Sequence, residues 1–352
     1  ENAQECFTDQ EYITDINMIN FGNKLTNLYF IFGGCHNLIN VSNFNTINVI
    51  NMSSMFYGCQ NLINVPNFNT SKVTDMSGMF EYCSNLTTVP NFDTNNVTDM
   101  SKMFTYCHNL INVPNFDTSN VIDMGEMFYY CYNLTEIPNF NTAKVTNMNE
   151  MFFSCTNLTT VPNFDTSNVV DMYNTFSYCS NLKTASNLNT SNVKYMGGMF
   201  YWCNNLTTIP NFDTSNVIDM GEMFFNCSNL TTIPNFDTSN VIFLNGYYFG
   251  TFGSCKNLIE LPNFNFSKVQ YLNGAYWGAF GQCYNLKTMP NFDFNNVINM
   301  AHAFVGCRSI INFPNFDFGN VINASNAFEG CQSVIEFPTF NLNPANITSM
   351  NY

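Results

Sequence analysis

The sequence predicts an α/β solenoid of about 13 coils, and three observations predict it. First, cysteines recur every 24 residues from Cys35 to Cys227. Cys255 and Cys283 follow at intervals of 28, Cys307 and Cys331 return to 24, and Cys6 stands outside the series. A strict period in the twenties marks an array in which no copy can bury its own apolar face and each must stack on the next. Second, the apolar positions form columns that hardly vary. Leu stands three residues after each Cys (Leu38, Leu62, Leu86, Leu110), with Val or Ile three further on (Val65, Val89, Ile137, Ile209). Phe (Phe68, Phe92), Val (Val73, Val97), Met (Met76, Met100), a second Met (Met79, Met103) and Phe (Phe80, Phe104) complete the copy. Third, the positions between the columns drift among Asn, Asp, Ser, Thr, Lys and Tyr, so the columns are the interior and the drifting positions the surface.

In chain order, residues 1–20 are read as an N-terminal cap, 21–340 as the solenoid, and 341–352 as an incomplete terminal coil in which "NITSM" mimics "NVTDM". Within a coil, "LTTVPNF" is β-compatible and its proline cannot donate to a ladder, so the strand should be three or four residues long and end near Pro66, Pro90 or Pro114. "DTSN" is a turn sequence in which Asp or Asn bonds its own backbone two residues on. "DMGEMF" at Asp123 and at Asp219 has Asp followed three residues later by Glu, the pattern of a capping box. It places a single helical turn on the side of the coil opposite the short parallel strands.

These pieces in this order resemble the leucine-rich repeat of BspA-like surface proteins. The segment "LTTIPNFDTSNVIDMGEMFFNCSNL" contains the family core of apolar-Phe-x-x-Cys-x-x-Leu-x-x-apolar, repeated as "MFEYCSNLTTV", "MFFSCTNLTTV" and "AFVGCRSIINF". The resemblance covers about residues 20 to 340 and departs from the family only in a shorter spacing between strand and "TSNV", which implies a tighter strand exit. It implies a leucine-rich-repeat fold, exposure on the cell surface, and adhesion to host or matrix components.

Composition excludes several functions. The formal charge is -15, with 25 acidic and 10 basic residues, and none of the basic residues cluster, which argues against nucleic acid as a partner. Charged residues are only 10% of the chain, whereas Phe alone contributes 37 residues, so disorder is excluded and solubility rests on Asn, Thr and Ser. The most apolar stretch, "LYFIFGGC", is far too short for a membrane-spanning helix. The chain opens at Glu1 without a methionine or apolar leader, which reads as a mature or trimmed secreted chain.

The cysteine column leaves three readings open: a metal site, a ladder of disulfides, or a buried column of small apolar side chains. Metal ligation lacks a C-x-x-C pair. Disulfides are conceivable because stacked coils lie roughly 5 Å apart, although parallel side chains do not readily turn sulfurs toward each other. The Asn two residues on (Asn37, Asn61, Asn85, Asn109) is expected to be buried and to satisfy backbone groups of adjacent coils. Burial would leave the "NLT" sequons at Asn85, Asn133, Asn157, Asn205 and Asn229 unmodified and favour Asn51 or Asn69. Stacked carboxylates at Asp75, Asp99 and Asp123, and at Asp93 and Asp117, read as helix caps and Asx-turns, with calcium between coils as the alternative. The histidines His36, His108 and His302 fall in separate coils, and no catalytic residue, metal site or cofactor is assigned; the chain is not expected to be an enzyme.

Binding residues are expected where the sequence breaks its own rule. The residue before Cys is aromatic at Tyr82, Tyr106, Tyr130, Tyr178 and Trp202, a stripe that anchors partners or merely packs on itself. The two coils of 28 residues carry insertions, "FLNGYYFGTFGSC" and "YLNGAYWGAFGQC", that put Tyr247, Tyr248, Phe249, Tyr276 and Trp277 on loops at one position of the coil. Insertions on one face of a solenoid are often its binding surface. The turn Thr of Thr70, Thr94 and Thr118 becomes Phe266, Phe294 and Phe318, which predicts an exposed apolar patch in the last coils. The expectation is an extracellular or cell-surface binding and adhesion protein with a protein or glycan partner. The alternative is a structural subunit that self-associates end to end into a filament.

Overall fold

The fold is a computed structural model that describes residues 7–17, 22, 24–343 and 346–349. It divides into two compact units, Glu1–Val169 and Val170–Tyr352, and each is a stack of coils with the predicted columns inside. In the first unit the second Phe of each copy forms one pile: Phe56, Phe80, Phe104, Phe128 and Phe152 lie 5.7, 5.7, 5.7 and 5.6 Å apart with nearly parallel rings. In the second unit the same pile runs Phe200, Phe224, Phe252, Phe280 and Phe304 at 6.0, 6.0, 5.7 and 5.4 Å. It passes through both 28-residue coils without a break, so the insertions are accommodated outside the core.

The strands are only two residues long, not the three or four expected before each proline, and none of them runs into one: Ser42 stands where other coils have proline, and Asp317 and Asn341 lie three residues beyond Pro314 and Pro338. β1 (Asp15–Ile16) pairs in parallel with β2 (Asn40–Val41), and β3 (Asp317–Phe318) with β4 (Asn341–Leu342). Elsewhere along the expected strand line, before the prolines, coils are joined by single backbone bonds such as Ile111 N–H to Thr87 O (3.2 Å) and Thr207 N–H to Lys183 O (3.0 Å). A second and more regular line of parallel bridges runs through the residue before the first Met. It links Asn51, Asp75, Asp99, Asp123 and Asn147 in one unit, and Asp171, Tyr195, Asp219, Phe243, Tyr271, Asn299 and Asn323 in the other.

The expected helical turn is replaced by a chain of tight turns; no helix occurs among the described residues. Amides alternate between two destinations. Met52, Ser54, Phe56 and Gly58 donate to carbonyls of the next coil at 2.8–3.0 Å, whereas Met55, Tyr57 and Cys59 donate three residues back within their own coil. This alternation requires a left-handed residue every four positions: Ser54 (φ 51°) and Gly58 (φ 72°) in this coil, Glu126 (φ 55°) and Tyr130 (φ 59°) three coils on. Half a dozen residues cannot meet the cost of nucleating a helix, and the bonds between coils win. The capping box is therefore corrected. Asp123 Oδ1 accepts the amide of Gly125 (2.8 Å), an Asx-turn, and the Glu126 amide goes to Asn149 O of the next coil.

Among the described residues the cysteines are thiols, and their sulfurs are aimed at carbonyls rather than at one another. Cys59, Cys83, Cys107 and Cys131 donate S–H to the oxygens of Phe32, Phe56, Phe80 and Phe104, each at 3.1 Å. Cys203, Cys227, Cys255, Cys283 and Cys307 repeat the contact in the second unit. Cys6 lies outside the described residues. Burial pushes most of these thiols well above their ordinary pKa, raises the partly exposed Cys331 to about 11, and raises Cys35 as well. They are packing elements with a weak donor, not reactive groups.

Two further expectations change. The Asn column is exposed and bonds side chain to side chain: Asn61 Nδ2 to Asn37 Oδ1 (3.1 Å), Asn85 to Asn61 (3.2 Å) and Asn109 to Asn85 (3.3 Å), with Asn205 and Asn229 alike in the second unit. The burial argument for sparing the "NLT" sequons therefore fails. The turn Thr is buried, its hydroxyl reaching a carbonyl of the next coil, as Thr70 does to Asp93 O and Thr94 to Asp117 O, both at 2.8 Å. Its replacements Phe266, Phe294 and Phe318 are buried too and stack at 6.2 and 5.9 Å, so they enlarge the core and form no surface patch. Of the expected N-terminal cap at 1–20, residues 1–6 and 18–20 lie outside the described residues, as do 344, 345 and 350–352 of the terminal coil.

Candidate binding surface

The insertions of the second unit are built as two small hairpins. Asn245 and Gly250 face each other in an antiparallel bridge, with Gly246 N–H bonded to Phe249 O at 2.7 Å. Thr251 N–H to Leu244 O (2.8 Å) closes the first loop, and Ala279 N–H to Leu272 O (2.7 Å) closes the second. The hairpins then pair in parallel through Phe249 and Trp277, supported by Tyr276 N–H to Tyr248 O at 3.0 Å. Gly250 is required there, since a Cβ would stand 2.3 Å from the backbone of Ala279. One side chain from the preceding coil fixes the first loop: Glu222 Oε1 accepts the amides of Phe249 (3.0 Å) and Tyr248 (3.2 Å). Burial pushes the Glu222 carboxyl above its ordinary pKa, and those two amides pull it partly back.

The five expected insertion residues are thereby brought into one cluster with two levels. Phe249 and Trp277 form the inner level, packed with Phe225, whose ring lies 3.9 Å from Phe249, and with Tyr201 at 5.2 Å from Phe225. Tyr247, Tyr248 and Tyr276 form the outer level and are 81%, 47% and 60% exposed. Tyr248 and Tyr276 stack at 5.8 Å, and Tyr247 meets Tyr248 edge-on at 4.5 Å. Tyr201 and Phe225 escaped the sequence reading. The position two residues before Cys is aromatic also at Tyr57, Tyr129 and Phe153, so nothing in the sequence set these two apart.

The stripe before Cys divides into two places. Tyr82, Tyr106 and Tyr130 stack in the first unit at 4.5 and 4.9 Å, with interplanar angles of 8° and 14°. Tyr178 and Trp202 pair in the second at 6.0 Å. All five are left-handed, with φ of 59–62°, a conformation that costs a side chain about 1–3 kcal/mol; the same column holds Gly34, Gly58, Gly306 and Gly330. Stacking offsets this cost. Because each ring of the trio covers its neighbour's face, with Tyr57 edge-on at 5.4 Å beyond Tyr82 and Phe153 at 5.4 Å beyond Tyr130, the stack turns edges, not open faces, outward.

The remaining candidates are dispersed. His36 Nδ1 lies 2.8 Å from Gly58 O, His302 Nδ1 lies 3.2 Å from Gly274 O, and His108 stacks on Tyr132, where burial holds its pKa below the usual value. The Asp carboxylates cap their own turns: Asp99 Oδ1 accepts the Ser101 amide and hydroxyl, and Asp117 Oδ1 the Ser119 amide. Burial raises the Asp99 carboxyl despite these bonds. Among the described residues no group of three or more His, Cys, Asp or Glu is placed to hold a metal ion, and no helix is long and apolar enough to cross a membrane.

A protein-family profile described as "Mycoplasma protein of unknown function, DUF285" matches residues 26–136, 108–209, 131–230, 202–312 and 247–352. The chain belongs to that family. No curated protein matches its sequence. Among solved structures it is similar to a leucine-rich cell surface protein of Faecalibacterium prausnitzii, at 19% identity over 95% of this chain and 89% of that one, with a TM-score of 0.54. It is also similar to a leucine-rich repeat protein of Eubacterium ventriosum, at 17% identity over 93% and 85%, with a TM-score of 0.52. The leucine-rich-repeat solenoid expected from the BspA-like resemblance is thus the fold of this chain.

Proposed function

We propose that the protein is an extracellular, surface-exposed adhesion module that binds a protein or glycan partner, without catalysis, through the aromatic cluster of its two inserted coils. In this reading residues 21–340 are the presenting array. The observation that carries it is the outer level of that cluster: three tyrosines exposed side by side on a backbone held by the Phe249–Trp277 bridge and the Glu222 carboxylate. Exposed aromatics on a rigid support bind at low entropic cost. The Faecalibacterium cell surface protein, which shares the fold, favours the location. The tyrosine trio of the first unit is a secondary candidate, better suited to edge and hydroxyl contacts than to stacking on a sugar. The test is binding of the purified chain to immobilised fibronectin, laminin, collagen and mucin, with Tyr247, Tyr248 and Tyr276 changed together to serine. Loss of binding supports the reading, and retention refutes it.

The alternative, end-to-end self-association into a filament, draws on a cavity of about 520 Å³ in the second unit lined by Met300, Phe328, Phe337, Phe340 and Leu342. Phe328 and Phe340 are only partly buried there, whereas Phe304 and Phe316 in the same columns are fully buried. Molar mass measured across a dilution series decides it, since a monomer at every concentration removes the filament.

A further inference from the structure

Beside the first inserted hairpin, the second unit contains a cleft of about 390 Å³. Its origin lies in one column. Two residues after the line of bridges, the first unit carries Ser53, Ser77, Ser101, Gly125 and Asn149, with its glycine set between two residues that have side chains, whereas the second has Gly197 and Gly221 in successive coils. The ring of Tyr173 lies across the first glycine, where a Cβ would meet it at 2.9 Å, and a Cβ on Gly221 would stand 2.1 Å from Asn245 O. The missing side chains leave a trough, which the hairpin walls on its far side with Asn245, Gly246 and Tyr247.

The lining has a definite chemistry. Tyr173, Phe243 and Tyr247 supply exposed aromatic walls. Asp219 and Glu222 supply two carboxylates, and among the described residues neither meets a Lys, Arg or His. Their described bonds are to backbone amides alone: Asp219 Oδ1 to Gly221 N–H at 2.8 Å, and Glu222 Oε1 to the hairpin. Asn245 Oδ1 is buried with no donor to satisfy it, a state that native structures rarely leave unanswered. The lining therefore offers negative charge and aromatic faces. A hard metal ion would want six or more oxygens, and the two carboxylates with one carboxamide fall short of that. An organic cation uses both features, since it brings charged donors for the carboxylates and a surface that aromatic rings attract.

We propose that this cleft receives a cationic side chain, lysine or arginine, from a protein partner. Its charged head lies against Asp219 and Glu222, and its stem passes between Tyr173, Phe243 and Tyr247. The inference deepens the binding role proposed above and rests on it for the partner being a protein. The chain's own charge of -15 would speed the encounter with a basic surface. Burial raises both carboxyls above their ordinary values, so binding strengthens as pH rises and both ionise.

The test is ligand-observed NMR on the full chain with N-acetyl-lysine methylamide, the arginine analogue, and the Nε-acetylated lysine form, which keeps the stem and loses the charge. Both charged amides are expected to bind at millimolar concentration, and the acetylated form roughly tenfold more weakly. Asp219→Asn retains the oxygen that caps the Gly221 turn, as Asn299 does for Ala301 in the same column, and is expected to weaken lysine roughly fivefold. Tyr247→Ala, at a residue 81% exposed, removes one wall without touching the core and weakens it roughly threefold. Equal binding of the acetylated and charged forms, equal binding by Asp219→Asn, displacement of lysine by millimolar calcium, or no binding at all overturns the proposal. If the serine variants at Tyr247, Tyr248 and Tyr276 retain attachment to every immobilised protein while lysine still binds in an Asp219-dependent way, the attachment reading falls and the cleft stands.

Discussion

The regular coils of the first unit and the inserted coils of the second are built on the same columns of core residues and differ in how they finish their surfaces. In the regular coils each polar column satisfies itself: Asn61 bonds Asn37, Thr70 reaches Asp93 O, and Asp99 caps Ser101. Even the aromatic column closes on itself, Tyr82 on Tyr106 on Tyr130. In the inserted coils the phenylalanine pile continues through Phe252 and Phe280, but outside it the ladders break. Asn245 and Asn273 keep buried oxygens without donors, and Tyr247 and Tyr276 stand exposed. A solenoid can therefore change its surface locally while its core columns stay in register.

The largest expected effect tests the shared core columns. A buried thiol whose folded pKa lies above its unfolded value near 9.0 favours the folded state fully below that value. Above about pH 9 the unfolded chain loses its thiol protons while the folded chain keeps them, so each such cysteine subtracts about 1.4 kcal/mol of stability per pH unit. Denaturant melts between pH 8 and pH 10 should show a steep fall in both regions, and alkylation of the native protein should begin at Cys331. Next, Phe128→Ala and Phe252→Ala should each cost about 3–5 kcal/mol. Equal costs confirm that the pile is indifferent to the insertions, whereas a much smaller cost at Phe252 breaks the comparison.

Glu222→Ala should cost about 1.5–3 kcal/mol, because it strands two amides bonded to a carboxylate, and should speed hydrogen exchange at Tyr248 and Phe249. In the same column of a regular coil, Glu126 pairs with the exposed Lys102 at 3.5 Å, and Glu126→Ala should cost under about 1 kcal/mol. The smallest effect probes the tyrosine trio. Tyr106→Gly relieves the left-handed residue that Tyr106→Ala leaves strained, so the glycine variant should be the more stable by about 1 kcal/mol, even though both lose the stack.

Much of this was legible in the sequence because columns that do not vary are columns that do not see water: Leu86, Val97, Met100, Phe104 and Cys107 are all fully buried. The misreadings came from residue types with two physical uses. Glu126 three positions after Asp123 imitates a capping box, yet Gly78 and Gly198 in the same column marked a left-handed residue that no helix accepts. Thr70 looked like a turn surface because it is polar, whereas it is buried and its hydroxyl reaches a carbonyl of the next coil. The Asn column looked like a buried ladder, but a carboxamide bonds its own copy equally well at the surface. The cleft was not legible, since it arises from side chains that Gly197 and Gly221 lack and from a carboxylate, Glu222, whose role depends on an insertion in the next coil.

The central claim is that recognition resides in the inserted coils. The direct measurement compares attachment to immobilised fibronectin, laminin, collagen and mucin for three proteins: the unaltered chain, one with Tyr247, Tyr248 and Tyr276 changed to serine, and one with Tyr82, Tyr106 and Tyr130 changed to glycine. The account predicts that the unaltered chain binds, that the serine variant loses roughly tenfold or more, and that the glycine variant stays within about twofold. Loss confined to the glycine variant, or no attachment by the unaltered chain, would contradict it.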